Sequence, residues 1–531
     1  CSSDPQMNAL CKSRVHTAVA AALIGFASTT QVVNAQDVSR NNTGQALVFP
    51  YYTVNNGWTT TFNAINTSNK TLAVKVRFHE SKNSRDVLDF NVVMSPYDAW
   101  SGWVQDSDNG PQLFTVDKSC TSPLNVNGAT ASDIAYTGEF TDTGGAGRNR
   151  MREGYIEMLV MGEAISETEI PPIGWDPSEA FALQETMYVP YNAKHVDGTP
   201  RNCAAVDAAF IAQVDLWAPE TDPVTYVSSG PIPNSLGGSG DPLARIDFQA
   251  PTSNPLKGNV SWLHAMTGTG AGSEAIAVED WSAENYVTAQ QFPWFLEPTF
   301  ASGDGIWTAT GVVAFEAAVS AVSTFNEWAD NPTNNAATDM VLTFPTKAYH
   351  VDAFNDQIQA ALSKYRNALT DVVACADPLD RTTCVSSGSE PVPVSPFELL
   401  FGVAGTGDSV IPVQYQLFDR EEAPVVVETD GTTISPAPPP EISVDALRFE
   451  ANVVQFGSEA VVDSNNPAMV DASALLRGAP NGWVNVKFTG TDAAAIGLPV
   501  AGFVIKERDR GEVATAYGQA MDNGYQAPTS E

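Results

Sequence analysis

Residues 45–104 contain four apolar or alternating runs, and these constrain the fold more than any other stretch of the chain. The runs cover residues 46–54, 58–65, 72–78 and 87–94. Asn55-Asn56-Gly57 separates the first two, because Asn and Gly accept the positive φ that a tight turn requires. Successive short runs joined by turns predict an antiparallel sheet with one buried face.

The third run predicts a half-buried strand. One side carries only apolar residues, namely Leu72, Val74, Val76 and Phe78. The other side carries the basic residues Lys75, Arg77 and His79. Because successive side chains of a strand point to opposite faces, we expect the apolar side in the core and the basic side in water.

Strand patterns continue to the end of the chain. In residues 483–488 the apolar Val484, Val486 and Phe488 alternate with Trp483, Asn485 and Lys487. Residues 340–344 also predict a strand, and Pro345 is expected to limit it to a sheet edge or a bulge. Helical spacing occurs at residues 204–217 and 355–369. The sequence therefore predicts an all-β protein of two β-sandwich, immunoglobulin-like domains with irregular loop and short-helix insertions.

The N-terminal 35 residues are predicted to be a pre-sequence and a signal peptide. Translation would start at Met7, an apolar run covers residues 17–26, and Val33-Asn34-Ala35 forms the cleavage site. The first domain is expected at residues 36–352, with long insertions near 110–150 and 165–250. Residues 353–531 would hold a helix, a disulfide loop and the second domain. No other stretch approaches the about 18 apolar residues of a membrane span.

Four cysteines remain after the predicted cleavage, and in an exported chain an even number predicts disulfides. Pairing the nearest two joins Cys375 with Cys384 and leaves Cys120 with Cys203. Zinc is the alternative, but the chain has no CxxC motif to support it.

The charge of the chain excludes some partners. With 62 acidic and 27 basic residues the formal net charge is −35, which repels nucleic acid and anionic lipid. Such a surface suits a salty medium or one that collects divalent cations. Asp106, Asp108 and Asp117 crowd a loop beside Cys120 and are candidate calcium ligands, although the distal Glu of an EF-hand is lacking. The alternative is ordinary solvated acidity, and no other cofactor is predicted.

Catalytic motifs are absent from the sequence: it has no GxSxG, HExxH, Walker loop or CxxC. The histidines outside the pre-sequence lie in no acid–base motif and are predicted to be structural or exposed, namely His79, His195, His264 and His350. Residues 155–161 suit a central strand, and Glu153 and Glu157 near its start are the carboxylate pair to test for glycoside hydrolysis. A solvated strand end is the competing interpretation of this pair.

The eleven tryptophans suggest a sugar-binding platform, because sugar rings pack on exposed aromatic faces. Trp100 and Trp103 are three residues apart, so in a strand they point to opposite faces and cannot form one flat platform. We therefore expect at least one of them in the core.

Residues 338–347, with the sequence TDMVLTFPTK, resemble a segment of uncharacterised exported or cell-surface proteins of proteobacteria. Residues 152–157, 419–422 and 450–457 show the same likeness in the same order. The resemblance implies an envelope or extracellular location, with the periplasm as a further option, and it implies no known activity.

These observations predict a non-enzymatic secreted protein of the cell surface or extracellular matrix. It would act by binding or self-assembly, with itself, another envelope or matrix component, or a glycan as partner. The alternative is a carbohydrate-binding module or glycoside hydrolase, which would need exposed tryptophans and a Glu pair in one groove.

Overall fold

The computed structural model describes residues 37–138, 141–167, 188–211, 247–249, 251–281, 316, 319–330, 335–352, 374–375, 384–385, 395–402, 407–420, 446–457, 459–470, 481–508 and 517–528. These residues form mainly antiparallel β-sheets with a few short helices, which confirms the all-β prediction. The predicted signal peptide, the helix at 355–369 and the end of the helix at 204–217 lie outside the described residues.

Sheet A has eight strands and contains three of the four runs of residues 45–104, namely those at 46–54, 72–78 and 87–94. In ladder order it comprises β1 (Asp37–Val38), β15 (Ile276–Glu279), β2 (Ala46–Thr53), β9 (Glu153–Ala164), β4 (Leu72–Glu80), β5 (Asp86–Met94) and β8 (Cys120–Ser122), with β12 (Phe248–Gln249) paired to β9. Strand β9 is buried along its whole length and pairs on both sides, so the prediction of a central strand is confirmed.

Sheet B has five strands and packs on the apolar face of sheet A. In ladder order it comprises β14 (Thr269–Glu274), β13 (Leu256–His264), β3 (Trp58–Asn66), β6 (Ala99–Gln105) and β7 (Gln112–Phe114). Asn56 and Gly57 adopt the predicted positive φ. The turn nevertheless leads from β2 in sheet A to β3 in sheet B, so the expectation that the first four runs form one sheet is wrong.

Sheets C and D form a second layered pair. Sheet C comprises β21 (Val413–Asp419), β24 (Asn481–Phe488), β17 (Ser323–Ala329) and β28 (Gly524–Gln526). Sheet D comprises β23 (Pro467–Val470), β22 (Ala451–Phe456), β18 (Ala336–Thr343), β26 (Ala501–Arg508) and β27 (Tyr517–Asp522). All neighbours pair antiparallel except β22 and β23, which are parallel.

Short elements complete the described chain. The two-stranded ladders pair β10 (His195–Val196) with β11 (Thr199–Pro200), β16 (Ser320–Ala321) with β25 (Leu498–Pro499), and β19 (Ala374–Cys375) with β20 (Cys384–Val385). The α-helices are α1 (Val189–Ala193), α2 (Cys203–Ile211), α3 (Lys347–Val351) and α4 (Thr491–Ile496). Helix α2 confirms the start of the helix predicted at 204–217.

Sheet D contributes to two cores, because both of its faces are covered. Met340 and Leu342 of β18 point into the core shared with sheet C, whereas Val341 belongs to the core of sheets A and B. On that second side the ring of Phe503 stacks on Trp262 with centroids 4.3 Å apart. Alternation along β18 therefore places apolar side chains on both faces, as in a strand buried between layers.

Two sequence expectations about exposure and edges are wrong. Lys75, Arg77 and His79 on β4 are at most 3% exposed, so this strand is not half-buried. Strand β18 pairs with β22 on one side and β26 on the other, so Pro345 does not mark an edge strand. Strands β16, β17 and β18 all pair with strands of the C-terminal third, whereas the predicted boundary at residue 352 stays a prediction.

Candidate functional site

Glu153 and Glu157 are both buried on β9, so the interpretation as a solvated strand end is wrong. The Glu153 carboxylate accepts hydrogen bonds from the Tyr51 hydroxyl at 2.8 Å and the Asn55 amide at 3.2 Å. It also accepts one from the Ser464 hydroxyl at 3.1 Å. Burial raises the pKa of Glu153, and these hydrogen bonds oppose that rise only in part.

Glu157 forms a carboxylate–imidazole pair with His79. The His79 Nε2 atom lies 3.2 Å from Oε2 of Glu157, and Nδ1 donates to the Ser84 carbonyl oxygen at 3.0 Å. The imidazole also stacks on the Tyr155 ring, with centroids 4.8 Å apart. Burial disfavours the charged imidazole, but the attraction of Glu157 outweighs it and raises the pKa of His79. Such a pair can move a proton, yet both side chains are 0% exposed.

The other basic residues of β4 are paired in the same way. Arg77 forms an ion pair with Asp86, and Lys75 Nζ lies 3.8 Å from Asp89 Oδ1. Burial lowers the pKa of Lys75 to about 8, although Asp89 opposes this. A row of cations on β4 therefore meets carboxylates from β5 and β9, which explains how this face of the strand is buried without isolated charges.

A second buried charge cluster surrounds Arg150. Its Nε atom lies 2.6 Å from Glu80 Oε2, and its Nη1 atom lies 2.5 Å from Asp142 Oδ1. Arg85 contacts the same Asp142 at 3.1 Å and reaches Asp352, just after α3, at 3.1 Å. Burial alone would raise the pKa of Asp142, but Arg150 and Arg85 hold it well below its usual range. The cluster thus ties sheet A to the segment that follows β18.

Lys347 at the start of α3 is buried against backbone carbonyls. Its Nζ atom donates to the carbonyl oxygens of Ser409 at 2.7 Å, Arg448 at 3.0 Å and Phe449 at 3.3 Å. Burial lowers the pKa of Lys347 to about 8 and raises that of Glu450 well above its usual range. These groups stabilise the packed arrangement and, being buried, are out of reach of a substrate in solution.

The three aspartates predicted to bind calcium lie in different local arrangements. Asp106 forms an ion pair with Arg152 at 3.1 Å, and the Asp108 side chain is exposed. Asp117 Oδ1 accepts hydrogen bonds from the Ser119 backbone N–H and hydroxyl, at 2.8 and 2.7 Å. Within the described ranges, no group of three or more His, Cys, Asp or Glu is arranged to hold a metal ion. The structure therefore does not bring these aspartates together, and calcium binding stays a prediction.

The remaining histidines each contact a neighbouring group. His195 Nδ1 lies 3.1 Å from the Ser95 hydroxyl, and His264 Nε2 lies 2.9 Å from the Asn56 carbonyl oxygen. His350 Nε2 lies 2.5 Å from the Glu316 carboxylate. The Asp98 carboxylate lies 3.7 Å from the same Nδ1 atom of His195. The Ser95 hydroxyl and this carboxylate therefore meet one ring nitrogen, whereas an activated nucleophile and an orienting carboxylate would lie on opposite sides of the imidazole.

Cys120 and Cys203 form a disulfide with an S–S distance of 2.07 Å, the pairing expected from the sequence. It joins β8 at the edge of sheet A to helix α2. Cys375 and Cys384 are directly opposite each other in the ladder of β19 and β20. That register agrees with the predicted second disulfide, which stays a prediction.

The outward face of sheet C carries aromatic and amide side chains that are exposed or half-buried. These residues, called the aromatic face below, are Phe325, Gln416, Phe418, Trp483 and Asn485. Phe418 and Trp483 are cross-strand partners whose rings stack with centroids 4.1 Å apart. In the next row Asn485 Nδ2 donates to Gln416 Oε1 at 3.3 Å. Trp483 remains 38% exposed and Phe325 44% exposed.

Phe325 occupies its position because residue 524 is a glycine. The two residues are opposite each other on β17 and β28. A Cβ atom on Gly524 would lie 2.4 Å from Cε2 and Cζ of the Phe325 ring, closer than any two such atoms approach. The missing side chain therefore lets the ring lie against the backbone of β28, an arrangement known from aromatic residues that cover strand glycines.

The charges beside the aromatic face are balanced. Glu327, the cross-strand partner of Trp483 on β17, forms an ion pair with Lys506 at 3.0 Å. Lys506 holds the pKa of Glu327 below its usual value. Lys487 lies one row beyond Asn485 on the same face of β24. In a chain of net charge −35, this face thus presents a paired carboxylate and a lysine, not an excess of acid.

The orientation of some of these side chains is predicted from the sequence. Val484, Val486 and Phe488 are buried while Trp483 is exposed, so the predicted alternation of β24 is confirmed. Trp100 is buried in the core and Trp103 lies on the opposite side of β6, also as predicted. The sequence could not show that Phe418 and Phe325 join Trp483, because that depends on cross-strand register between segments that are far apart in the chain.

No protein-family model, curated protein or solved structure matches this chain. Among the described helices, none combines the length and apolarity that crossing a membrane requires.

Proposed function

We propose that the protein is a non-enzymatic exported protein of the cell surface or extracellular matrix, which acts by binding or self-assembly. The observation that carries this proposal is the aromatic face, where Trp483 and Phe325 stay exposed on a strand framework. Exposed clusters of large aromatic side chains mark interaction sites, because burying them against a partner releases free energy.

The distribution of charged groups supports binding over catalysis. His79 and Glu157, the pair best arranged to move a proton, are 0% exposed. Glu153 accepts three side-chain hydrogen bonds from its neighbours and is equally inaccessible. A glycoside hydrolase needs two carboxyl groups on either side of an accessible bond, so the hydrolase form of the alternative has less support than its binding form.

The disulfide between Cys120 and Cys203 supports the proposed location, because such bonds persist in oxidising compartments outside the cytosol. The two pairs of packed sheets likewise support the proposal of two sandwich-like, immunoglobulin-type domains. Sheet D lies between the two cores, so these domains would share one extensive contact.

Fractionation of the native organism, followed by a cell-attachment assay with purified protein, tests the proposal. We expect the protein in the envelope or extracellular fraction, and we expect it to attach to cells or to sediment as assemblies. Trp483→Ala should weaken attachment, whereas Met266→Ala, which alters a residue 88% exposed in the turn between β13 and β14, should not. A cytoplasmic location, or turnover of a polysaccharide that a folded Glu157→Gln variant loses, would overturn the proposal.

A further inference from the structure

We infer that the aromatic face binds a neutral glycan chain, with sugar rings packed against Trp483 and Phe325 and sugar hydroxyls hydrogen-bonded by Gln416 and Asn485. This inference rests on the proposed function and names the ligand of that surface. It concerns binding alone and requires no reaction.

The chemistry of the face matches the two sides of a sugar ring. A pyranose presents C–H groups on its faces and hydroxyls around its rim. The electron-rich faces of Trp and Phe attract such C–H groups and bury their apolar area. Gln416 has two N–H donors, and Asn485 has one N–H beyond the one that it donates to Gln416. These N–H groups suit sugar hydroxyls, whose oxygens accept hydrogen bonds. Phe418 and Trp483 lie in one cross-strand row, and Gln416, Asn485 and Phe325 lie in the next. Rings and amides side by side fit a ligand that is apolar and hydroxylated within a few ångströms.

Charge distinguishes a glycan from other occupants. The net charge of −35 repels nucleic acid, acidic polysaccharides and a second copy of the chain at low salt. A cationic partner would be attracted by the net charge of the whole chain, whereas Glu327 beside this face is already paired with Lys506. A neutral, hydroxyl-rich polymer experiences none of this repulsion and needs no counter-charge.

The face is also ordered before any ligand arrives. Phe325 is held against Gly524, and Trp483 is stacked on Phe418. Asn485 is fixed by its hydrogen bond to Gln416. Side chains that are already restrained lose less conformational entropy on binding. Phe325 and Trp483 are diagonal neighbours on adjacent strands, about 7–8 Å apart at the backbone, so they offer two contact points to an extended chain.

A retention assay on polysaccharides tests this inference. The full chain is incubated with cellulose, chitin and agarose as neutral probes, and with alginate as an acidic probe, and the bound fraction is measured. We expect retention on at least one neutral probe and none on alginate at low salt. Trp483→Ala and Phe325→Ala should each weaken binding by about tenfold or more, as truncation of a central aromatic contact does.

Matched variants separate binding from folding. Trp483→Phe should keep most of the affinity, because it retains an aromatic face. Tyr97→Ala removes another aromatic side chain, 70% exposed in a distant turn, and should leave retention unchanged. Thermal melts identify any variant that fails to fold, and Phe325→Ala then replaces Trp483→Ala as the test.

Two results would overturn the inference: no retention on any neutral probe, or equal retention by native protein and a folded Trp483→Ala variant. If neutral probes are not bound but Trp483→Ala abolishes attachment to cells, the glycan inference fails and the proposed function stands. If the purified protein cleaves a polysaccharide that it retains through Trp483, the glycan inference stands and the proposed non-enzymatic function fails.

Discussion

Replacing Asp339 by Asn removes a buried negative charge from the centre of sheet D with almost no change of shape. Asp339 lies on β18, where its Oδ2 atom accepts backbone N–H bonds from Val461 at 2.9 Å and Val462 at 2.8 Å. Its Oδ1 atom has no hydrogen-bond partner in the described parts of the chain. An Asn side chain can keep the accepting oxygen in place, so the substitution mainly changes charge.

Burial raises the pKa of Asp339 from 3.8 to about 7, and the carboxylates of Asp463 and Glu507 add to this rise. The two N–H donors from residues 461 and 462 oppose it only in part. The folded state therefore holds this proton more tightly than the unfolded chain does. Its contribution to the free energy of unfolding is fully present below pH 3.8 and is lost as the pH rises through about 7.

The gap between 3.8 and about 7 corresponds to roughly 4 kcal/mol, at about 1.4 kcal/mol per pH unit. Between pH 5 and pH 8 about 3 kcal/mol of this stabilisation should disappear from the native protein, because the group already ionises in the unfolded chain at pH 5. Burial also raises the pKa values of Glu153 and Glu450, so the native protein has other contributions of the same sign.

Urea unfolding of native protein and Asp339→Asn at both pH values isolates the contribution of this residue. Relative to native protein, the variant should gain about 3 kcal/mol of stability on going from pH 5 to pH 8. Asp108→Asn, an exposed position, provides the matched control and should gain nothing comparable. If the stability difference between native protein and Asp339→Asn is the same at both pH values, the reasoning from burial is refuted.

Three further results are expected. Cys120→Ser should lower the free energy of unfolding by about 4–5 kcal/mol, since the bond to Cys203 closes a loop with a separation of 83 residues; equal stability of native and variant protein in non-reducing urea titrations would contradict this. Arg150→Met should cost about 3–5 kcal/mol in the same titration, because Asp142 loses a buried counter-charge, whereas the exposed Arg148→Met should have little effect. Thermal melts should shift upward in sodium chloride because salt screens a net charge of −35; a larger shift in calcium chloride at matched ionic strength would indicate specific binding, and flat melts in both salts would refute the screening argument.

The sequence predicts which side chains share a face of a strand, but it does not predict what covers that face. Strand β4 shows why. Its alternation correctly separates the side chains into two faces, with Val76 in the core of sheets A and B. It does not predict that His79 and Arg77 on the other face are buried as well. Their carboxylate partners include Glu157 on β9, about 80 residues away along the chain, and only the ladder brings them together. A basic residue in an alternating strand therefore indicates a side of the sheet, not contact with water.

Strand β18 gives the complementary case. Residues 340–344 are recognisable as a strand from their composition, and Pro345 lies two residues beyond the last paired residue, Thr343. The position of that strand within its sheet depends on β22 and β26, which come more than 100 residues later. Composition can show that a segment is extended, but its neighbours decide whether it is central or at an edge. The same limit applies to the aromatic face, where only Trp483 and Asn485, both on β24, could be oriented in advance.

The buried polar groups explain how the layers keep a single arrangement. Residues 459–466 receive contacts from three sheets: the Trp58 indole N–H donates to the Val461 carbonyl, Asp339 accepts from the backbone, and Glu153 accepts from Ser464. These side chains lie on β3, β18 and β9 respectively. Because each would lose its partner if one layer shifted, a displaced packing would leave buried polar atoms without hydrogen bonds, at about 1–3 kcal/mol each. Apolar contacts such as Phe503 on Trp262 favour close packing of the layers, whereas these directional bonds favour one register of that packing.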